Sequence, residues 1–421
     1  MPTPPSYCYW LRNDLRLHDN RTWEALCAHR AAHAPNAPVY AFVTGPLGWD
    51  EVSPWGWPRL SEARKNFWKS SAAGFAKQWK SGSLGELVEC WGKAPYEWTN
   101  VPAQVPGTHL FASRGHGFDE SAAEEKTEKW AQQNGLEVHW VENHDVWDPS
   151  HWDFRLQDLP QTFTGFRKKL EKGSPLVLPT FAQPIAYAAE PALLPERHPK
   201  TSFPFAGDEV SARAHVRRFI WETDGLARYK ETRNGLLGVP YSGKISPWLA
   251  TGALSVRWVW AEVIRFESER GRTDGSEWFL LELLWRSYFL WAARADGPKL
   301  FGPQPAHFQT DKSSAFMKWS RGETPDSFVN AGMHELTATG YLSNRLRQNV
   351  ASFFIHNLRL PWAVGASFME HYLLDYEAAS NWGNWAYIAG VGRNPGNRQP
   401  FNTVRQAEFY DSEGTYRRTW N

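Results

Sequence analysis

The apolar pattern changes period once along this chain, and that change limits the folds open to it. Through residues 1–141 short β-type apolar runs alternate with helical stretches, whereas from residue 206 onward the pattern is helical nearly throughout. Runs at 7–11, 39–43, 87–91, 110–113 and 136–141 read as strands, with helix-like segments at 59–80 and 120–134 between them. Strands separated by helices predict a parallel, doubly wound α/β sheet, because parallel neighbours need a crossover connection. No G-x-G-x-x-G follows the first run, so a dinucleotide site there has no support. Residues 142–205 are rich in Pro, Asp and aromatics without a sustained period, and read as a connector with a few helical turns. The expected organisation is an α/β domain over 1–141, a connector over 142–205 and an all-helical domain over 206–421. Within the last, 277–295 is apolar almost all round, as in a buried helix.

Bulk properties narrow the function classes. A chain of 421 residues exceeds one ordinary core, so two domains are expected. There is no apolar run of ~18 residues to span a membrane, and the opening Met1-Pro2-Thr3-Pro4-Pro5 does not read as a signal peptide. Cys8, Cys27 and Cys90 are too few and too scattered for a disulfide framework or a cysteine zinc site, and they fit a reducing, cytoplasmic setting. A net charge of +1 gives no global pull toward nucleic acid, so any DNA contact must come from a local patch. The 25 tryptophans suit large cores, stacking on flat ligands or electron hopping, and composition does not choose among these.

Residues 340–392 carry the strongest functional signal. Asn344, Arg345, Arg347, Gln348, Asp375, Glu377, Asn381 and Asn384 sit there among Leu, Phe, Trp and Tyr, in segments apolar enough to be core. Burying such groups is costly unless they are paired, which suggests a large polar ligand with an aromatic part. Arg347 with Asp375, and Glu282 with Arg286 four residues on, could equally be internal ion pairs. Asn344 and Asn381 could be turn and cap residues. The run from Gly238 to Lys244 matches G-x-x-x-x-G-K, but Ile245 stands where a magnesium-binding Ser or Thr is required, which argues against a nucleotide hydrolase. The better reading has Ser246 capping a helix with Pro247 at its first position, Lys244 adding charge at a phosphate site. A plain capped helix would explain the same residues.

Together these residues resemble the photolyase/cryptochrome family, in particular its DASH cryptochrome branch, over nearly the whole chain. The resemblance rests on Trp10-Leu11-Arg12-Asn13-Asp14-Leu15-Arg16, Leu159 to Arg167, Tyr229 to Asn234, Tyr241 to Leu254, Glu282 to Phe289, Leu346 to Ser352 and Ser380-Asn381-Trp382-Gly383-Asn384-Trp385. It implies an α/β antenna domain and a helical domain holding FAD, with methenyltetrahydrofolate as a candidate antenna. It implies that Tyr229 and Ser242, Gly243, Lys244, Ile245 and Ser246 hold the FAD phosphates. Phe279, Glu282, Arg286, Phe289, Arg347, Asp375 and Glu377 would line the cofactor, with Asn381 facing flavin N5. The implied reaction is that of a carbon–carbon lyase, light-driven electron transfer from reduced FAD to a cyclobutane pyrimidine dimer. Glu282, Asn381 and Trp285 would be catalytic, while Arg233, Asn344, Arg345, Gln348 and Tyr387 would contact DNA. Tyr387 and Gln348, in place of Trp and Met, are similar to the DASH pattern and imply a single-stranded substrate for a monomeric enzyme. A photoreceptor that binds FAD without repair is the alternative.

Several positions depart from the family. Trp385 and Trp362 match the inner two residues of an electron relay, but its outer position falls near Phe308 and Gln309, so Trp382, Trp319 or Tyr387 would have to substitute. Glu377 stands where Asp is usual. Gly115 stands near where a folate-binding Glu is common, with Glu124 and Glu125 further on.

Overall fold

The computed structural model describes residues 5–98, 109–173, 190–194, 196–303, 308, 314–393 and 400–421. Strands β1 (Tyr7–Leu11), β2 (Val39–Val43), β3 (Glu86–Glu89), β4 (His109–Ser113) and β5 (Glu137–Val141) form one sheet in the order β3-β2-β1-β4-β5, every pair parallel. The central strand shows why its run is apolar at every position. Tyr7, Tyr9 and Leu11 pack on one face with Leu26 of helix α1 (Arg21–His33) and with Trp68, Phe75 and Trp79 of α2 (Glu62–Ser81). Cys8 and Trp10 pack on the other with Ala123 of α3 (Phe118–Gln133). A parallel strand covered on both faces leaves no side for polar alternation.

Two boundaries differ from expectation for local reasons. The third strand ends at Glu89 rather than at residue 91, because Trp91 leaves the ladder and stacks on Trp49 at 4.5 Å. Helix α2 starts at Glu62, where Ser61 accepts from the Arg64 N–H, and Arg59 remains outside to pair with Glu370 and Asp119.

The rest of the described chain is helical: α4 (Phe163–Gly173), α5 (Glu209–Arg217), α6 (Tyr229–Thr232), α7 (Ser246–Thr251), α8 (Val256–Arg270), α9 (Asp274–Asp296), α10 (Ala315–Ser320), α11 (Ser327–Thr339), α12 (Asn344–Ser352), α13 (Trp362–Tyr372), α14 (Ala378–Ile388), α15 (Thr403–Tyr410) and α16 (Thr415–Trp420). The nearly all-apolar segment becomes α9, with Phe279, Leu283, Leu284, Tyr288 and Trp291 in one large core.

The loop after β1 joins the sheet to the helices. Arg16 donates to the Gly252 carbonyl at 2.9 Å and to Asn143, while Asp14 accepts from Tyr9 and Ser113. Gly252 has φ +71°, and a Cβ there would lie 1.8 Å from the Asn13 carbonyl oxygen, so only glycine allows this approach. No helix among the described residues is long and apolar enough to cross a membrane.

Candidate functional site

The helices enclose a cavity of about 470 Å³ between α6, the loop before α7, α9, α12 and α14. Helical periodicity aims the side chains. Glu282, Trp285, Arg286 and Phe289 of α9 recur every three or four residues and so share one face; all four line the cavity. Asn344, Arg347 and Gln348 of α12 do the same, as do Ser380, Asn384 and Tyr387 of α14. Tyr229, Arg233, the residues Ser242 to Ser246, Phe279, Asp375 and Glu377 complete the expected lining.

Two expected residues stand apart. Asn381 lines an adjoining cavity of about 80 Å³ and donates to the Ala366 carbonyl at 2.9 Å. The small cavity shares Asn344, Arg347, Gln348, Asp375, Ser380 and Asn384 with the large one, so Asn381 borders a recess against the same walls. Arg345 turns aside to bond Gln348 at 2.9 Å and Asn234 at 3.0 Å, with its guanidinium over Tyr410.

The ion pairs differ partly from those considered from spacing. Arg347 does pair with Asp375, at 2.8 Å. Glu282 and Arg286 do not pair with each other. Arg286 reaches Glu377 at 2.6 Å and the His144 carbonyl, whereas Glu282 accepts from Arg233 and, at 3.1 Å, from the Trp278 indole. Trp278 lies four residues before Glu282 and therefore on the same face; that spacing was the available signal for a lining residue sequence reasoning passed over. Ser380 and Asn384, which the sequence placed in the polar segment without a role, line the cavity as well.

Ser246 does not cap its helix. It is the first residue of α7, and its hydroxyl donates to Asp375 Oδ2 at 2.6 Å. No strand precedes the Gly238–Lys244 run, which removes the phosphate-loop hydrolase from consideration. Ser242 and Lys244 instead hold left-handed backbone, φ 62° and 53°. His215 steadies this loop through the Gly243 carbonyl at 3.0 Å, and burial lowers the pKa of that imidazole to about 4. A Cβ at Gly243 would meet Phe279 at 2.6 Å.

The electrostatics of the inner wall are unfinished. Lys244 is only 2% exposed, and its Nζ has no hydrogen-bond partner among the described residues, lying over the rings of Tyr241 and Tyr341. Burial holds its pKa well below the ordinary lysine value. Asp375 Oδ1 is likewise buried and unpartnered. Burial also acts on Arg347, but the Asp375 carboxylate outweighs it and holds the guanidinium above its ordinary value. Behind this wall Glu335, which accepts from Tyr416 at 2.5 Å, is pushed up by burial to about 7. An orphaned buried cation beside an orphaned buried acceptor fits a ligand bearing both anionic and donor groups, as FAD does.

The relay candidates Trp385, Trp362, Trp382 and Trp319 meet in two pairs. Trp385 meets Trp319 edge-on at 6.5 Å, and Trp362 meets Trp382 at 5.9 Å. Phe308 packs on Phe316, while Gln309 lies outside the described residues. In the α/β half Glu124 is engaged by Arg12 at 2.7 Å, by Arg114 and by the Gly115 N–H, while Glu125 is exposed.

A parallel α/β sheet joined to a helical cavity floored by Lys244, Arg347 and Asp375 defines a protein built to hold an anionic cofactor with an aromatic part, and the comparisons name its family. Residues 7–186 match the family profile described as DNA photolyase, and residues 279–421 match the FAD binding domain of DNA photolyase. The chain is 35% identical to Cryptochrome DASH of Synechocystis sp., covering 99% of this chain and 87% of that one. It is 36% identical to Cryptochrome DASH of Vibrio parahaemolyticus, covering 98% and 92%. The crystal structure of a Synechocystis sp. cryptochrome superposes with a TM-score of 0.86 at 32% identity, covering all of this chain and 89% of that one. The chain belongs to the photolyase/cryptochrome family, within its DASH cryptochrome branch, and its cofactor is FAD.

Proposed function

We propose that this chain repairs cyclobutane pyrimidine dimers in single-stranded DNA under blue light. The observation that carries this reading is the division of the cavity between a sealed inner end and an open outer wall. Lys244 and Asp375 are buried, whereas the Glu282 side chain is 31% exposed and Asn344 and Asn384 are exposed. The inner end would hold the cofactor and the outer wall a base.

When bound, FAD supplies light absorption and a reversible one-electron donor. Lys244 Nζ takes up a proton as phosphate approaches, because a nearby anion restores the charged form that burial disfavours. Arg347 and Asp375 orient the ring system, and Asn381, its amide held by the Ala366 carbonyl, faces flavin N5. Trp285, stacked on Phe163 at 3.7 Å, gives one rigid flank for a pyrimidine pair and Tyr387 gives the other. Glu282, in reach of the incoming base, hydrogen-bonds a pyrimidine carbonyl as negative charge develops there. Gln348, Asn344 and Arg345 contact the strand. A single strand avoids the few kcal/mol that flipping from a duplex costs. Trp385 and Trp319, with Trp362 and Trp382, offer indoles for recharging the cofactor.

The test is loss of dimers from irradiated single-stranded DNA under blue light by wild type, E282Q and E282A. Wild type should clear dimers. E282Q, which keeps a donor, should retain part of the yield, and E282A should fall at least about tenfold with strand affinity little changed. No repair by the reduced wild type would reject the proposal. The second reading, a blue-light receptor without repair, rests on the cryptochrome name of the relatives; light-dependent partner binding with repair absent would carry it.

A further inference from the structure

Three histidines meet at the N-terminal ends of the strands, and none of them lines the flavin cavity. His109 opens β4, His139 is the third residue of β5, and His29 comes from α1. One ring nitrogen from each lies within 4.8 Å of the others. The His109 Nδ1 to His139 Nε2 distance is 3.2 Å. The strand register sets Glu137 opposite His109, and its carboxylate lies 3.4 Å from His109 Nδ1 and 3.7 Å from His139 Nε2.

These distances have a simple interpretation. An ion held tetrahedrally by nitrogen at about 2.0–2.1 Å places neighbouring donor atoms about 3.3 Å apart. The His109, His139 and Glu137 donors already stand within a few tenths of an ångström of that separation. A ring nitrogen of His29 lies within 4.8 Å of those of His109 and His139. The rings are also held from outside. Tyr7 Oη lies 3.0 Å from His29 Nδ1, Phe111 stacks on His139 at 4.2 Å, and Tyr7 stacks on His109 at 5.0 Å. Outer partners of this kind fix the ring orientation of metal-binding histidines. Aromatic packing with one histidine–histidine hydrogen bond would account for the rings alone. It leaves unexplained why one carboxylate converges on the same two nitrogens.

We propose that His29, His109, His139 and Glu137 bind one divalent transition-metal ion, with Zn²⁺ the best match to three imidazoles and a carboxylate. The ion would pin α1 to the edge of β4 and β5 and would play no part in the photochemistry.

The experiment uses the full-length flavoprotein freed of metal with a chelator and titrated with Co²⁺ as a spectroscopic probe, then with Zn²⁺. Wild type should develop the visible bands of tetrahedral Co²⁺, saturate at one equivalent, and lose them when Zn²⁺ is added. H109Q and H139Q should weaken binding at least about tenfold. H29Q, which alters only the helix side, is the variant least able to disturb the sheet, and it should weaken binding too. Flavin absorbance reports that each variant is folded. Zn²⁺ should raise the melting temperature of wild type and leave the variants unmoved. No saturable uptake by wild type, or equal uptake by all three variants, overturns the proposal. Dimer repair is untouched by either result, so the two readings fail separately.

Discussion

Two regions of this molecule bury charge, and they do so in opposite ways. In the loop after β1, Arg16, Asp14 and Asn20 are buried and finished. The Arg16 guanidinium spends its donors on Asp19, Gly252 and Asn143. Asp14 accepts from Tyr9, Ser113 and the Arg12 N–H, and Asn20 donates to Tyr9 and two carbonyls. In the helical cavity Lys244 Nζ and Asp375 Oδ1 are buried and left open. Buried charge alone therefore does not mark a ligand site. The difference lies in whether the protein itself supplies the partners, since each unpaired buried group costs on the order of 1–3 kcal/mol.

The contrast can be broken most sharply at Arg16. R16A removes one partner from several buried acceptors at the joint between sheet and helices. A loss of roughly 3 kcal/mol or more is expected in denaturant unfolding, alike with and without FAD. A loss confined to the FAD-loaded protein would mean the joint serves the ligand after all.

K244M should behave in reverse. The apoprotein should hold or gain stability, because an unpaired buried amine is replaced by an apolar chain of similar shape. FAD affinity should fall about 10–100-fold, the equivalent of roughly 1.4–2.8 kcal/mol, in a titration of the apoprotein. Unchanged affinity with a destabilised apoprotein would make Lys244 a structural residue.

The smallest expected effect is at Glu335, close to Lys244 and Arg347 and bonded to Tyr416. Its folded pKa of about 7 lies above the ordinary carboxyl value of 4.5, so the folded state binds the extra proton between them. Stability from this group is greatest below about 4.5 and declines as pH rises to about 7. Unfolding free energies of wild type minus E335Q, measured from pH 5 to pH 8, should therefore fall with rising pH. A flat difference would show that Glu335 is ionised throughout.

The layered architecture was legible because burial on both faces leaves a local record. Residues 7–11 and 39–43 read as strands with the bounds observed, and β3, read over 87–91, ends two residues earlier at Glu89 because Trp91 is as apolar as a strand residue but leaves the ladder. Much of the cavity wall was legible too, since polar groups recurring at helical spacing among apolar neighbours have few bland explanations. The pairings were not. Arg286 could be matched only with neighbours in sequence, yet its partner Glu377 lies 91 residues away. Asn381 lies on α14 with Ser380 and Asn384, but the hydrogen bond from its amide goes to the Ala366 carbonyl, a partner 15 residues away that spacing could not name.

The order of residues by itself determined the two architectures, the faces of α9, α12 and α14, and the supply of buried polar groups, because periodicity and side-chain chemistry are properties of the local chain. Only the tertiary structure decided which of those groups complete one another and which stay open, and only the parallel register of β4 and β5 brought Glu137, His109 and His139 together. Hydrogen bonds and metal ligands are satisfied across distances of about 3 Å in space, whatever the separation along the chain.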